Sequence, residues 1–169
     1  MLDVVLVAPQ IATNTGNIIR LCANTGNRLH LVRPLGFDLD GAALRRGGLD
    51  YHEIADTQVW DSWDDCRAAL GAERRWFATT TRAPHRRYDD VTYTNGDVVV
   101  FGCEADGLGD ALLAEFAADQ RLHIPMRPQN RSLNLANAVS VVAYEAWRQH
   151  GFEGAASGSF EESLRHNPG

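Results

Sequence analysis

Apolar residues along this chain fall into two kinds of run, short continuous ones and longer ones with three-or-four spacing. Leu2 to Val7 (LDVVLV) is nearly all apolar and stops at Pro9, the form of a strand buried on both faces. In NTGNIIRLCANTG, Asn14 to Gly26, the residues Ile18, Ile19, Leu21 and Cys22 make a helical stripe, with Arg20 off it. Asn14 or Thr15 is expected to cap that helix and Gly26 to close it. Leu29 to Val32 reads as a second strand, ended by Pro34 and Gly36. From Phe37 to Asp56 the pattern weakens, and only a short helix around Ala42 to Arg46 is suggested. Asp61 to Leu70 predicts a helix whose acidic first turn suits its dipole.

The second half repeats the alternation. Trp76 to Thr80 predicts a third strand and runs into a polar, basic loop through Arg82, Pro84, His85, Arg86 and Arg87. Asp97 to Phe101 predicts a fourth strand, followed by the turn Gly102 to Gly109. Leu112, Leu113, Phe116 and Ala117 carry a further helix, and Leu122 to Ile124 is the last strand. From Leu135 the longest helical pattern begins, with Val139, Val142 and Ala146 on one face and Ala136, Ala143 and Trp147 beside them. Asn134, Asn137 and Ser140 cluster at its entrance, where short polar side chains serve caps better than helix interiors. Strands alternating with helices, without hairpin signals, predict an α/β fold with an open, mostly parallel sheet and flanking helices. Beyond Gly151 the periodicity is lost in a Gly- and Ser-rich tail, expected to be a mobile end.

Composition narrows the class. At 169 residues, one domain with a substantial core is expected. No apolar run is long enough to span a bilayer, and Met1 to Val7 lacks the basic flank of a signal peptide, so a cytoplasmic location is expected. Cys22, Cys66 and Cys103 are an odd, widely spaced set, without the C-x-x-C pairing of zinc or redox sites, and are expected to be buried or idle thiols. The net charge of -6 argues mildly against a polyanion partner. Against that, arginines cluster as Arg45 with Arg46, Arg74 with Arg75, Arg82 with Arg86 and Arg87, and Arg127 with Arg131.

Candidate chemistry lies where an open parallel sheet collects ligands, beyond the carboxyl ends of its strands. Three loops leave such ends: Thr79 to Arg82, Gly102 to Gly109, and Pro125 to Leu133. GCEADGLG does not fit a dinucleotide fingerprint, and without a single lysine in the chain there is no phosphate-loop lysine. Ser132 and Ser140 lie in no nucleophile-elbow setting. His52 and His85 are lone histidines in loops, and Asp64 with Asp65 is best read as helix-end charge. Packing explains least about Asn14 to Arg20 and Gln129 to Asn137, rich in amides and arginine, groups that recognise phosphate and sugar oxygens.

At these segments the chain is recognisable. NTGNIIRLCANTG, LRRGGLDYHE, FGCEADGLG and IPMRPQNRSLNLANAVSVVAYEAWRQ resemble, in order and spacing, the tRNA (cytidine/uridine) 2'-O-ribose methyltransferases of the wobble nucleotide, in the SPOUT superfamily. The similarity covers about residues 1 to 152, leaving 153–169 as a flexible tail. The resemblance implies an S-adenosylmethionine-dependent enzyme, a homodimer, with a C-terminal segment threaded into a deep trefoil knot. It implies a cofactor pocket from Thr79, Gly102, Ile124, Ser132 and Leu133, and Arg20 nearest the chemistry. Asn14, Arg131 and Tyr144 would place RNA, the anticodon stem-loop of tRNA, with Arg45 and Arg46 completing a basic cleft across the dimer. The alternatives are a non-catalytic RNA-binding or assembly protein that keeps the fold, and a nucleotide-binding oxidoreductase, disfavoured by the missing fingerprint.

Overall fold

The structure, a computed structural model, describes residues 1–38 and 57–156. The helix expected around Ala42 to Arg46, the candidate residues Arg45 and Arg46, and the tail from residue 157 onward lie outside the described residues. Among the described residues seven strands form one sheet: β1 (Asp3–Val7), β2 (Arg28–Val32), β3 (Thr57–Trp60), β4 (Trp76–Thr79), β5 (Arg86–Arg87), β6 (Val98–Phe101) and β7 (Arg121–His123). Their order across the sheet is β3-β2-β1-β6-β4-β7-β5, and every pairing is parallel.

Among the described residues four α-helices flank the sheet: α1 (Ala12–Thr25), α2 (Trp63–Leu70), α3 (Asp110–Leu113) and α4 (Leu135–Gln149). Side chains alternate along each strand, so the sheet feeds two cores. Val4 and Leu6 of β1, Leu29 and Leu31 of β2 and Val99 and Phe101 of β6 pack with Ile18, Ile19 and Cys22 of α1 and Val139 and Val142 of α4. The opposite set, Val5, Val32, Ala78, Val98 and Val100, packs with Cys66 of α2 and Leu113 of α3. Covering both faces is what makes these strands read as continuous apolar runs instead of alternating ones.

The structure differs from expectation in several places. Strands β3 and β5 carry no apolar run: TQVW and RR sit at the two sheet edges, where burial is incomplete and the hydrophobic signal fades. Helix α3 is only four residues long, and Phe116 reaches the core from the turn after it. Helix α1 begins at Ala12, so Asn14 falls in its first turn; the N-cap is Ile11, which offers no side-chain hydrogen bond. At the other end Gly26 adopts the left-handed conformation expected of it, with φ of 66°. Ser62 caps α2, its hydroxyl accepting from the Asp65 N–H. Among the described residues no helix is long and apolar enough to cross a membrane.

Candidate functional site

The sheet order places a topological switch between β1 and β6: β1 is followed outward by β2 and β3 on one side, while β4, β5, β6 and β7 all lie on the other. Loops that leave the carboxyl ends of strands at such a point splay apart and open a crevice. Here β6, β4 and β7 are adjacent, so the loops after Phe101, Thr79 and His123 converge. Between them lies a cavity of about 310 Å³. Phe101, Leu122, Leu135 and Ala138 supply its apolar walls, and Thr80, Arg82, Glu104, Asp106, Arg131 and Ser132 its polar ones. A larger cavity, about 600 Å³, opens near Met1, Asn95 and Trp147 at the amino ends of the strands. It lies away from every switch-point loop, and we place the site at the smaller one.

All five residues expected to hold a cofactor, Thr79, Gly102, Ile124, Ser132 and Leu133, line this cavity, as does Arg131. Thr79 and Gly102 are there for local reasons. Thr79 ends β4, and its hydroxyl donates to the Val100 carbonyl on the neighbouring strand at 3.1 Å, which turns its polar atom into the sheet. Gly102 ends β6 under its own loop: a Cβ there would lie 2.0 Å from the Gly107 carbonyl carbon. Only glycine permits that closeness. The loop folds back through the Gly107 N–H to the Cys103 carbonyl at 3.0 Å, with Gly107 at φ of 67°. The ion pair between Arg82 and Asp110 ties the β4 loop to the start of α3.

A chain of hydrogen bonds closes the rim where β1 and β6 part. Glu104 Oε2 accepts from the Gln10 N–H at 2.8 Å, and Oε1 accepts from the Ile11 N–H at 3.2 Å and from Asn14 Nδ2 at 3.0 Å. Asn14 Oδ1 accepts from Asn134 Nδ2 at 2.9 Å. Asn134 in turn caps α4, its Oδ1 accepting from the Ala136 N–H at 2.9 Å and the Asn137 N–H at 3.3 Å. Burial raises the Glu104 carboxyl, but the Gln10 N–H and the Asn14 amide outweigh it and hold the group below the usual carboxylate range.

The remaining expected residues sit around this frame. Asn14 is buried, and both ends of its amide are spent on Glu104 and Asn134. Arg20 lies exposed on α1, about 9 Å along the helix axis from Asn14. It does not line the cavity, nor does Tyr144, which is exposed on α4. His85 stacks on His123 with ring centroids 4.3 Å apart, beside the strand edge and away from the cavity lining. The three cysteines are free; burial pushes the Cys22 and Cys66 thiols up to about 12, which makes them inert. Among the described residues no His, Cys, Asp and Glu grouping suits a metal. The sequence puts Glu104 in a candidate loop and Asn134 at the helix entrance, but not their bonds to Asn14, 90 and 120 positions away, because no local pattern encodes such a pairing.

Comparison with known proteins sets this geometry in context. The family model described as SpoU rRNA Methylase family matches residues 1–144. A tRNA (cytidine(34)-2'-O)-methyltransferase of Burkholderia pseudomallei is 57% identical over 157 residues, covering 92% of this chain and 100% of that protein. A solved structure described as "Structural insights into the 2-OH methylation of C/U34 on tRNA" superposes with a TM-score of 0.82 at 42% identity, covering 90% of this chain and 98% of the other. An AdoMet-bound rRNA methyltransferase from Sinorhizobium meliloti superposes with a TM-score of 0.73 at 25% identity, over 87% of this chain and 56% of the other. The cavity therefore sits in a frame shared with RNA methyltransferases, and this chain belongs to the SpoU rRNA methylase family.

Proposed function

We propose that this protein transfers a methyl group from S-adenosylmethionine to the ribose 2'-hydroxyl of the wobble pyrimidine nucleotide of tRNA. The observation that carries the reading is the convergence of Thr79, Gly102, Ile124, Ser132 and Leu133, dispersed over more than fifty residues of sequence, on one cavity beyond the carboxyl ends of β4, β6 and β7. The relatives that modify position 34 of tRNA support the substrate. The cavity's chemistry suits the donor: apolar walls for a flat purine, with hydroxyls, carboxylates and an arginine at the rim for a zwitterionic tail. When bound, this donor supplies a methyl carbon already activated by a positively charged sulfur. The close backbone at Gly102 and the cavity walls would hold and orient it.

Arg20 has a different task. A guanidinium stays protonated at neutral pH, so Arg20 acts as a charge that stabilises the developing alkoxide or anchors the neighbouring phosphate, not as a base. That it does not line its own chain's cavity supports a composite site, with Arg20 of one copy beside the cavity of a second copy in a homodimer. Ile11, Leu133 and Tyr144, all exposed apolar-bodied side chains on the α1 and α4 side, are available to such a partner. Arg131 and Tyr144, with Arg45 and Arg46, are the groups proposed to meet the anticodon stem-loop, while Asn14 serves from within. The deep trefoil knot of the SPOUT superfamily is part of this reading, as is a cytoplasmic place of action. The test is methylation of total tRNA with labelled donor and mapping of the product. Label at the 2'-oxygen of nucleotide 34 is the expected result; donor binding without any incorporation would favour a non-catalytic RNA-binding protein.

A further inference from the structure

Helix α1 starts badly by its own sequence. Its N-cap is Ile11, which has no oxygen to offer, and its first turn holds no acidic residue. A helix start normally needs a side-chain acceptor for its first N–H groups, and a capping box adds a carboxylate from the third helical position reaching back to the N-cap N–H. Here the third helical position is Asn14, one methylene too short and carrying an amide in place of a carboxylate. The missing acid comes from the other side of the switch point. Glu104 accepts the N-cap N–H of Ile11 and the N–H of Gln10 before it, and the Asn14 amide donates to the same carboxylate.

The polarity of this arrangement is fixed from both ends. A carboxylate can only accept, so Asn14 must present its NH₂ to Glu104 and its oxygen to Asn134. The N–H groups of α4 can only donate, so Asn134 must present its oxygen to Ala136 and Asn137 and its NH₂ to Asn14. One negative charge thus orients both amides that link the starts of two helices at the edge of the cavity. Glu104 itself belongs to the loop that lines the cavity, two residues beyond the Gly102 contact.

We propose that Glu104 is a positioning residue that caps α1 from a distant loop and so holds Arg20 and the entrance of α4 in register with the cofactor loop. This rests on the methyl-transfer reading above for its effect on rate, but not for its effect on structure. It predicts that Glu104 acts on turnover more than on binding, because what it fixes is the helix that carries Arg20.

The test uses the full-length protein with Glu104→Ala, Glu104→Gln and Asn14→Ala, read in two ways. Amide hydrogen exchange comes first and needs no activity: in Glu104→Ala the Gln10 and Ile11 N–H groups should exchange about fivefold or more faster, as expected for a lost cap, with a smaller change in Glu104→Gln, whose single oxygen still accepts one bond. Unchanged exchange at both positions overturns the proposal even if the enzyme reading stands. In steady-state methylation, Glu104→Ala should lose about tenfold to a hundredfold in kcat with KM for tRNA and donor affinity by calorimetry changed less than about threefold, and Glu104→Gln should recover part of the loss. A loss confined to donor affinity would make Glu104 a ligand contact instead and overturn the positioning role. The double variant Glu104→Ala with Asn14→Ala should be no worse than the poorer single one, as members of one network are not additive. A wild-type protein that methylates nothing would sink the functional reading while leaving the exchange result to decide the cap.

Discussion

Two carboxylates mark the two ends of this sheet, and they are held in opposite ways. Asp3, at the amino end of β1, has no exposed side-chain surface and is held by charge: Arg28 Nη2 donates at 2.6 Å, Arg74 also donates, and His30 Nε2 lies at 2.8 Å. Trp60 Nε1 donates to His30 Nδ1 at 3.3 Å, which leaves Nε2 to carry the hydrogen facing Asp3. Glu104, past the carboxyl end of β6, is held by two backbone N–H groups and an amide. The Asp3 cluster ties β1, β2 and the turn before β4 into one block; the Glu104 network ties loops to helix starts. One end of the sheet is built to stay closed and the other to present a cavity, so substitutions at the two ends should separate stability from activity.

The sharpest separation is expected at Arg20. Arg20→Ala should lower methyl transfer by about a hundredfold or more, while donor affinity and unfolding free energy stay near wild type. Arg20→Lys should fail too if two parallel hydrogen bonds are needed, and a full-rate Arg20→Ala enzyme would remove this residue from the mechanism.

At the closed end the expected order reverses. Asp3→Asn should cost about 2–3 kcal/mol in urea unfolding, the scale of hydrogen bonds to a charged group, with donor affinity unchanged at temperatures where the variant is folded. Burial pushes the Asp3 carboxyl up, but His30, Arg28 and Arg74 overcome it and hold the group well below the usual carboxylate range. Its contribution is therefore present above the unfolded value near pH 4 and is lost as pH falls towards the depressed folded value. The gap between wild type and Asp3→Asn should be constant at neutral pH and shrink below about pH 4; a gap that widens on acidification would contradict the ion-pair account.

Gly102→Ala probes the boundary between the ends, since its Cβ would collide with the Gly107 backbone and push the cofactor loop. We expect donor binding about tenfold weaker by calorimetry, together with a loss of stability, because the collision is with backbone next to the buried Leu108. The smallest effect belongs to Tyr144→Ala: a few-fold rise in KM for tRNA and less than about 0.5 kcal/mol in stability, as for other exposed positions. A large stability loss there would place Tyr144 in a subunit interface instead.

Much of this was legible in the sequence, and the part that was not has a common cause. Buried strands and long helices announce themselves because both faces of β1 and β6 are covered and α4 buries a regular stripe from Ala136 to Ala146. Edge strands β3 and β5 do not, because half their surroundings are solvent. The five cofactor candidates came from resemblance, and the geometry brings all of them to one cavity. The sequence offers Asn14 or Thr15 as the cap of α1, but the helix begins at Ala12 with Ile11 as its N-cap, and a glutamate 90 positions away claims the Asn14 NH₂. Local periodicity carries no information about such a partner.

The bond between Asn14 and Asn134 spans 120 positions, so the rim of the cavity is one of the last things this chain can assemble. Long-range closure of that kind is slow to form during folding. During synthesis, strands β1, β2 and β6 can pair while α4 is still being made, but the sheet face that packs on Val139 and Val142 stays partly uncovered, α1 lacks its neighbour and the cavity its wall. A nascent or truncated chain ending before Asn134 would thus carry all seven described strands and the loops after β4, β6 and β7, but neither the Asn134 cap nor the Leu135 and Ala138 wall of the cavity, which ties a finished site to synthesis of α4.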